Sequence, residues 1–303
     1  MTVGRLEGMN DAIDEFPGLK ARTLRFTCGA PRSARAIGDG SRALFLRSDG
    51  PEDTVTSLWM SVIGSDGDTD EILLADPRTL LADADAEDVP AEEKARRERA
   101  REGGSGIVGY SVDAAGNRVT FTINGQLFLT DIAAGVTRGI AIDEPEFKPV
   151  LNPRIAPDGE HVLYTTGSYL MLVDIGGELG DRITAVYGVS VEDEDGNPAE
   201  NTWKIGLAEF VASEEMDRYD GFWWAPDSQH VLFESFDTAD EPTWHISDPA
   251  DPEKPDAGRR YPRALTRNAD VYLTVITLAF DENDRYAGIT GNADVDWDRE
   301  AYE

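Results

Sequence analysis

Residues 155–164 read Ile155-Ala156-Pro157-Asp158-Gly159-Glu160-His161-Val162-Leu163-Tyr164, and residues 224–233 read Trp224-Ala225-Pro226-Asp227-Ser228-Gln229-His230-Val231-Leu232-Phe233. In each, an apolar residue precedes a Pro-Asp corner, and the corner feeds a β-rich run. Asp-Gly and Asp-Ser supply turn chemistry, and the residues after them suit a half-buried strand. Weaker copies lie outward on both sides. One runs from Tyr110 through Asp113, Gly116 and Asn117 to Val119-Thr120-Phe121. Another is Ile37-Gly38-Asp39-Gly40-Ser41-Arg42-Ala43-Leu44-Phe45, and a third is Phe280-Asp281-Glu282-Asn283-Asp284-Arg285-Tyr286-Ala287. Hairpin signals follow two of the predicted strands, at Asn124-Gly125 and Gly167-Ser168.

The spacing of these corners bears on the fold. Gly116 and Gly159 lie 43 residues apart, close to the roughly 40–45 residues of a four-stranded propeller blade. Gly40 to Gly116 spans 76 residues and Gly159 to Ser228 spans 69, so each of these intervals is expected to hold an insertion, near 77–102 and 188–217. The sequence therefore predicts an all-β chain, a partial β-propeller of about five to six four-stranded blades with two helical insertions. A β-sandwich with irregular loops is the competing architecture. No closing strand is visible near residue 303, so the chain reads as cut short within a propeller that continues beyond it.

Composition narrows the function. The chain carries 28 Lys plus Arg against 59 Asp plus Glu, a net charge of −31. That field opposes broad contact with nucleic acid or an anionic membrane. No apolar run approaches the roughly 20 residues of a membrane span, and the first thirty residues contain no apolar core of a secretory signal. Cys28 is the only cysteine, which excludes an internal disulfide framework and a cysteine-based metal site. A soluble, cytoplasmic protein is expected, without metal or cofactor.

The first insertion contains Pro90-Ala91-Glu92-Glu93-Lys94-Ala95-Arg96-Arg97-Glu98-Arg99-Ala100-Arg101-Glu102, then Gly103-Gly104. Nearly every residue favours helix, with acids at the start, arginines at the end and glycines to stop it. No apolar stripe is present, so this helix is either marginal or docked by charge. The second insertion leads into Leu207-Ala208-Glu209-Phe210-Val211-Ala212-Ser213-Glu214-Glu215-Met216-Asp217-Arg218-Tyr219. Leu207, Phe210 and Val211 fall on one face of a short amphipathic helix. Glu214 and Glu215 are adjacent acids that repel unless a cation lies between them, and a bound ammonium would supply one. Surface glutamates and a solvated arginine helix are the alternative reading of both segments. Val191-Glu192-Asp193-Glu194-Asp195-Gly196-Asn197 only hints at a calcium loop, failing the pattern at Val191 and Thr202, and reads as an acidic turn.

A reaction centre is missing. Gly103-Gly104-Ser105-Gly106-Ile107 lacks the final glycine of a nucleophile elbow. His161 and His230 occupy equivalent repeat positions, which argues for structural roles.

The segment from Phe210-Val211-Ala212-Ser213-Glu214-Glu215-Met216-Asp217-Arg218-Tyr219 to Trp223-Trp224-Ala225-Pro226 resembles the double-glutamate segment of the dipeptidyl peptidase IV family, in its bacterial, dipeptidyl peptidase 8/9-like branch. Glu92-Glu93 through Arg97-Glu98-Arg99-Ala100-Arg101 resembles the arginine-bearing helix of that branch. Arg259-Arg260-Tyr261-Pro262-Arg263-Ala264 resembles the tyrosine-proline segment after it, with Leu265 where relatives usually have glycine. The resemblance spans roughly residues 90–280. It implies an N-terminal propeller portion, followed in the parent protein by an α/β-hydrolase domain bearing a Ser-Asp-His triad. That domain is absent from residues 1–303, so no catalytic residue lies in this chain. The implied activity is release of X-Pro or X-Ala dipeptides from free N-termini. Glu214 and Glu215 would hold the substrate ammonium, and Arg101 would contact the peptide carbonyl region, with Arg97 and Arg99 as close competitors. The implied partners are a peptide with a free N-terminus, the missing hydrolase domain and a second copy in a full-length homodimer. A stand-alone propeller that binds peptides or proteins without hydrolysis is the alternative.

Overall fold

The computed structural model describes residues 4–81, 89–177, 179–191, 201–246, 257–299 and 301. The acidic turn read at 192–197 lies outside them. The chain divides into two compact units, Met1–Pro90 with Arg101–Ala141, and Ala91–Ala100 with Ile142–Glu303. Strand outweighs helix by 45% to 12%, so the class is all-β. It is built as a partial β-propeller, with successive four-stranded antiparallel sheets in chain order.

The first unit opens with helix α1 (Gly4–Arg22). Its first sheet runs β1 (Arg32–Ile37), β2 (Arg42–Arg47), β3 (Val55–Ile63) and β4 (Thr69–Ala75) in sequence order. After β4 come two short helices, α2 (Pro77–Leu80) and α3 (Ala91–Arg99), of which α3 belongs to the second unit. Strand β5 (Ser105–Gly106) then returns to lie parallel to β3. The second sheet is β6 (Tyr110–Val112), β7 (Arg118–Ile123), β8 (Gln126–Asp131) and β9 (Val136–Ile140). Alternation along the strands sends Leu44, Leu46, Leu58, Val119, Phe121 and Ile123 into one core shared by both sheets.

The second unit holds the sheet β10 (Leu151–Ile155), β11 (His161–Thr165), β12 (Tyr169–Asp174) and β13 (Arg182–Gly188). A further sheet gathers β14 (Trp203–Ile205), β15 (Phe222–Trp224), β16 (His230–Asp237) and, later in the chain, β19 (Asp270–Phe280) and β20 (Tyr286–Asp294). Between β16 and β19 the chain makes a separate two-stranded ribbon, β17 (Thr243–Ile246) with β18 (Ala257–Arg260). Five sheets are therefore present among the described residues, and four of them carry at least four strands. Leu163, Leu170, Leu172, Phe222, Val231, Phe233 and Ile276 form the core of this unit. Among the described residues no helix is long and apolar enough to cross a membrane.

The five corners noted in the sequence share one turn. The N–H of Gly40, Gly116, Gly159, Ser228 and Asp284 each donates to the carbonyl three residues earlier, at 3.0–3.2 Å or, for Gly159, 2.9 Å. Each of the five sits at positive φ: 88°, 70°, 82°, 58° and 58°. Three corners, at Gly40, Gly116 and Gly159, join the first two strands of a sheet, the one at Ser228 joins β15 to β16, and the one at Asp284 joins β19 to β20. At Gly116 the demand is also steric, because a Cβ there would lie 2.8 Å from the Cβ of Ile37. The equivalent histidines diverge. His161 is buried, with Nε2 2.9 Å from the Asp284 carbonyl oxygen and 3.4 Å from Asp174, and so ties one sheet of the unit to the other. His230 is half-buried and bonds Asp227 at 2.6 Å.

Candidate functional site

The two helical segments meet within the second unit. Helix α3 buries none of its residues, as its lack of an apolar stripe implies. Charge holds it instead. Glu93 accepts from Arg96 Nε at 2.7 Å and from Arg97 Nε at 2.8 Å. Burial opposes the charge on Glu93, yet the bonds from Arg96 and Arg97 keep its carboxyl below the ordinary range. The helix stops at Arg99, earlier than the sequence suggests, and Arg101 takes a left-handed conformation at φ 53°. A left-handed residue is a usual helix stop, normally glycine.

Helix α4 (Phe210–Glu215) is too short to persist alone. It is fixed at its start by Glu209, whose carboxylate accepts from the N–H groups of Val211 and Ala212. Such capping satisfies backbone donors that a helix end leaves open. The N–H of Glu209 donates in turn to Glu234 Oε1 at 2.9 Å. Glu234, only 1% exposed, binds Arg218 at 2.6 Å through its other oxygen. Burial pushes the Glu234 carboxyl up, and Arg218 works against that push. Helix α4 thus stands on a buried carboxylate in the middle of β16.

Glu214 and Glu215 are the last two residues of α4, and both are exposed. Glu214 Oε1 lies 3.4 Å from Arg99 Nε. Arg99 also donates to Ser213 Oγ at 3.3 Å, and its guanidinium lies 5.0 Å from the centre of the Phe210 ring. Phe210 meets Tyr261 edge to face at 4.9 Å. The structure therefore brings Arg99 to Glu214. It commits Arg97 to Glu93. Arg101 lies in the first unit, without an acidic partner among the described residues. Leu265, standing where glycine is expected, adopts φ 68° with its side chain wholly exposed.

Below these side chains lies a cavity of about 360 Å³, lined among others by Arg96, Arg99, Phe210, Tyr219, Glu241 and Arg260. Glu241 escaped the sequence reading. It is 6% exposed, and burial together with the negative charge of Glu209 pushes its carboxyl up to about 7, with Arg260 and Arg99 opposing. The folded chain keeps this proton to about pH 7, whereas an unfolded glutamate releases it near 4.5. Between those values the folded state binds more protons, so stability falls as pH rises across that window. Glu241→Gln is expected to melt higher than the parent chain at pH 8 and together with it at pH 4.5. Parallel melting curves at the two pH values check this.

The family model described as the dipeptidyl peptidase IV N-terminal region matches residues 108–296. Dipeptidyl peptidase 8 from Homo sapiens is 24% identical over 214 residues, 64% of this chain and 23% of the relative. Its counterpart from Mus musculus is 24% identical over 210 residues, 63% of this chain and 22% of the relative. The chain thus spans less than a quarter of the curated relatives it matches. The crystal structure of Porphyromonas gingivalis dipeptidyl peptidase 4 superposes with a TM-score of 0.55 at 16% identity, over 93% of this chain and 34% of that one. At that identity the likeness is one of fold.

Proposed function

The chain belongs to the family of dipeptidyl peptidase IV N-terminal regions, and from that membership we propose that it is the substrate-recognising propeller portion of a longer serine exopeptidase. That enzyme removes X-Pro or X-Ala dipeptides, and its Ser-Asp-His triad resides in a following α/β-hydrolase domain. Glu214 and Glu215 hold the free ammonium of the peptide. One observation carries this reading: Glu214 already binds a cation, the guanidinium of Arg99, at 3.4 Å. Arg101 contacts the peptide carbonyl region. Arg96 and Arg97 are bonded to Glu93 and Arg99 to Glu214, which leaves Arg101 as the arginine of this stretch with no carboxylate to answer to among the described residues.

The chemistry follows from distance. An ammonium clamped at one point fixes how far along the peptide the nucleophile can reach, so cleavage falls after the second residue. A blocked or internal peptide brings no positive charge to the two carboxylates, and so forgoes the attraction that positions a free N-terminus. We read the setting as cytoplasmic and the full-length form as a homodimer.

The test uses the full-length protein and an Ala-Pro arylamide, free or N-acetylated. Release from the free substrate alone is the expected result. Cleavage of both at equal rates removes the clamp. Binding of the free peptide without any cleavage leaves a non-catalytic binding module.

A further inference from the structure

A second cavity, of about 330 Å³, lies wholly within the first unit. Lys20, Arg25, Arg32 and Arg101 line it, together with Asp53 and Glu102. Both carboxylates are already engaged. Glu102 accepts from Arg32 Nη1 at 2.7 Å, and Asp53 accepts from Arg78 Nη2 at 2.7 Å. Burial works against the charge on Asp53, but bonds from Arg78 and from the N–H groups of Val55 and Asp49 hold its carboxyl below the ordinary range. Lys20, Arg25 and Arg101 are left without a carboxylate partner among the described residues.

That arrangement runs against the composition of the chain. With 59 acids to 28 basic residues, a cation has more than two carboxylates to choose from. Three cations nevertheless line one cavity, where a bound anion would answer their shared charge. Arg25 sits in a left-handed turn. Leu24, Arg25 and Phe26 take left-handed φ values of 47°, 64° and 67° in succession, at a cost of about 1–2 kcal/mol for each residue. The hydroxyl of Thr23 steadies this turn, donating to the Leu19 carbonyl at 2.7 Å and accepting from the Phe26 N–H at 3.0 Å.

We infer that this cavity binds a small oligophosphate or phosphate ester, held by Lys20, Arg25 and Arg101 with Arg32 forming the wall. Guanidinium groups match phosphate oxygens in pairs, and lysine adds a point charge. A single carboxylate would answer one cation and leave two. The cavity volume falls within the range of small-molecule sites, so a lone inorganic phosphate underfills it. The site shares Arg101 with the peptidase reading but does not rest on it, because binding is measured with no peptide present.

The experiment is a calorimetric titration of the 303-residue chain with pyrophosphate, at constant ionic strength. One saturable site is expected. Inorganic phosphate should bind more weakly and citrate at least tenfold more weakly. The double variant Lys20→Gln/Arg25→Gln should lose at least tenfold in affinity, while Arg263→Gln, in the other unit, keeps it. Both cavity positions are exposed, and the single variant Arg25→Gln gives the same reading with less disturbance of the fold. No saturable heat, citrate binding equal to pyrophosphate, or unchanged affinity in both cavity variants would each overturn the site.

Discussion

In the full-length protein, Glu215→Gln is expected to lower kcat/KM for an Ala-Pro arylamide by about a hundredfold, equivalent to about 2.7 kcal/mol. Gln keeps the size of Glu and its hydrogen-bonding oxygen but loses the charge that answers an ammonium. Glu215 has no ion-pair partner among the described residues, so its loss reads directly on substrate. Glu214→Gln should show a drop of similar size, together with the release of Arg99 from its carboxylate. The two variants therefore separate the clamp from its neighbour. Steady-state kinetics on free and acetylated substrates make the measurement. Parental rates in both variants would end the ammonium reading, whatever becomes of the anion cavity in the first unit.

The second large effect concerns stability. Arg218→Ala should destabilise the chain by about 3 kcal/mol, because it leaves the carboxylate of Glu234 buried without its cation. The lower end of the range for buried pairs applies, since Arg218 keeps 34% of its side chain exposed and water screens part of the attraction. For a unit of this size, that corresponds to a melting temperature lower by about 6–12 °C. The deficit has a sign in pH. Burial raises the carboxyl of Glu234, and without Arg218 it rises further, so the variant suffers most at high pH and recovers as acid protonates the group. The double variant Arg218→Ala/Glu234→Gln should regain much of the loss. An Arg218→Ala chain that melts with its parent at pH 8 would show that the pair contributes nothing.

Much of the fold was legible because turn chemistry is local. The Pro-Asp corners announced their strands, and the run of arginines after two glutamates announced a helix held by charge. The ribbon of β17 and β18 was not legible. Its strands are four residues each, too short for an alternation to register, and the corner at Phe280 to Ala287 reads like all the others although it closes a sheet. Helix α1 was missed for a similar reason, with Pro17 inside it and no clear apolar face. At the site, Glu214, Glu215 and the arginine segment stood out as dense charge. The groups beneath them did not, because Glu209, Arg218, Glu234 and Glu241 are scattered along the chain and only folding assembles them. One signal was available: Glu234 interrupts the apolar run Val231-Leu232-Phe233 before Ser235-Phe236, and a charge in mid-strand demands a partner.

The shared corner turn has a consequence for how such a gene drifts. What is preserved at residues 40, 116, 159, 228 and 284 is a torsion angle, met here by glycine, serine and aspartate in turn. Exchanging one letter for another at such a bend costs roughly 1 kcal/mol, small enough for evolution to wander through, except at residue 116, where Ile37 leaves no room for a Cβ. Adding or deleting a residue there is another matter, since it would turn every downstream side chain of the strand to the opposite face. Point changes should thus accumulate at these bends among distant homologues while their lengths stay constant, so a search for remote kin gains more from counting residues between bends than from matching them.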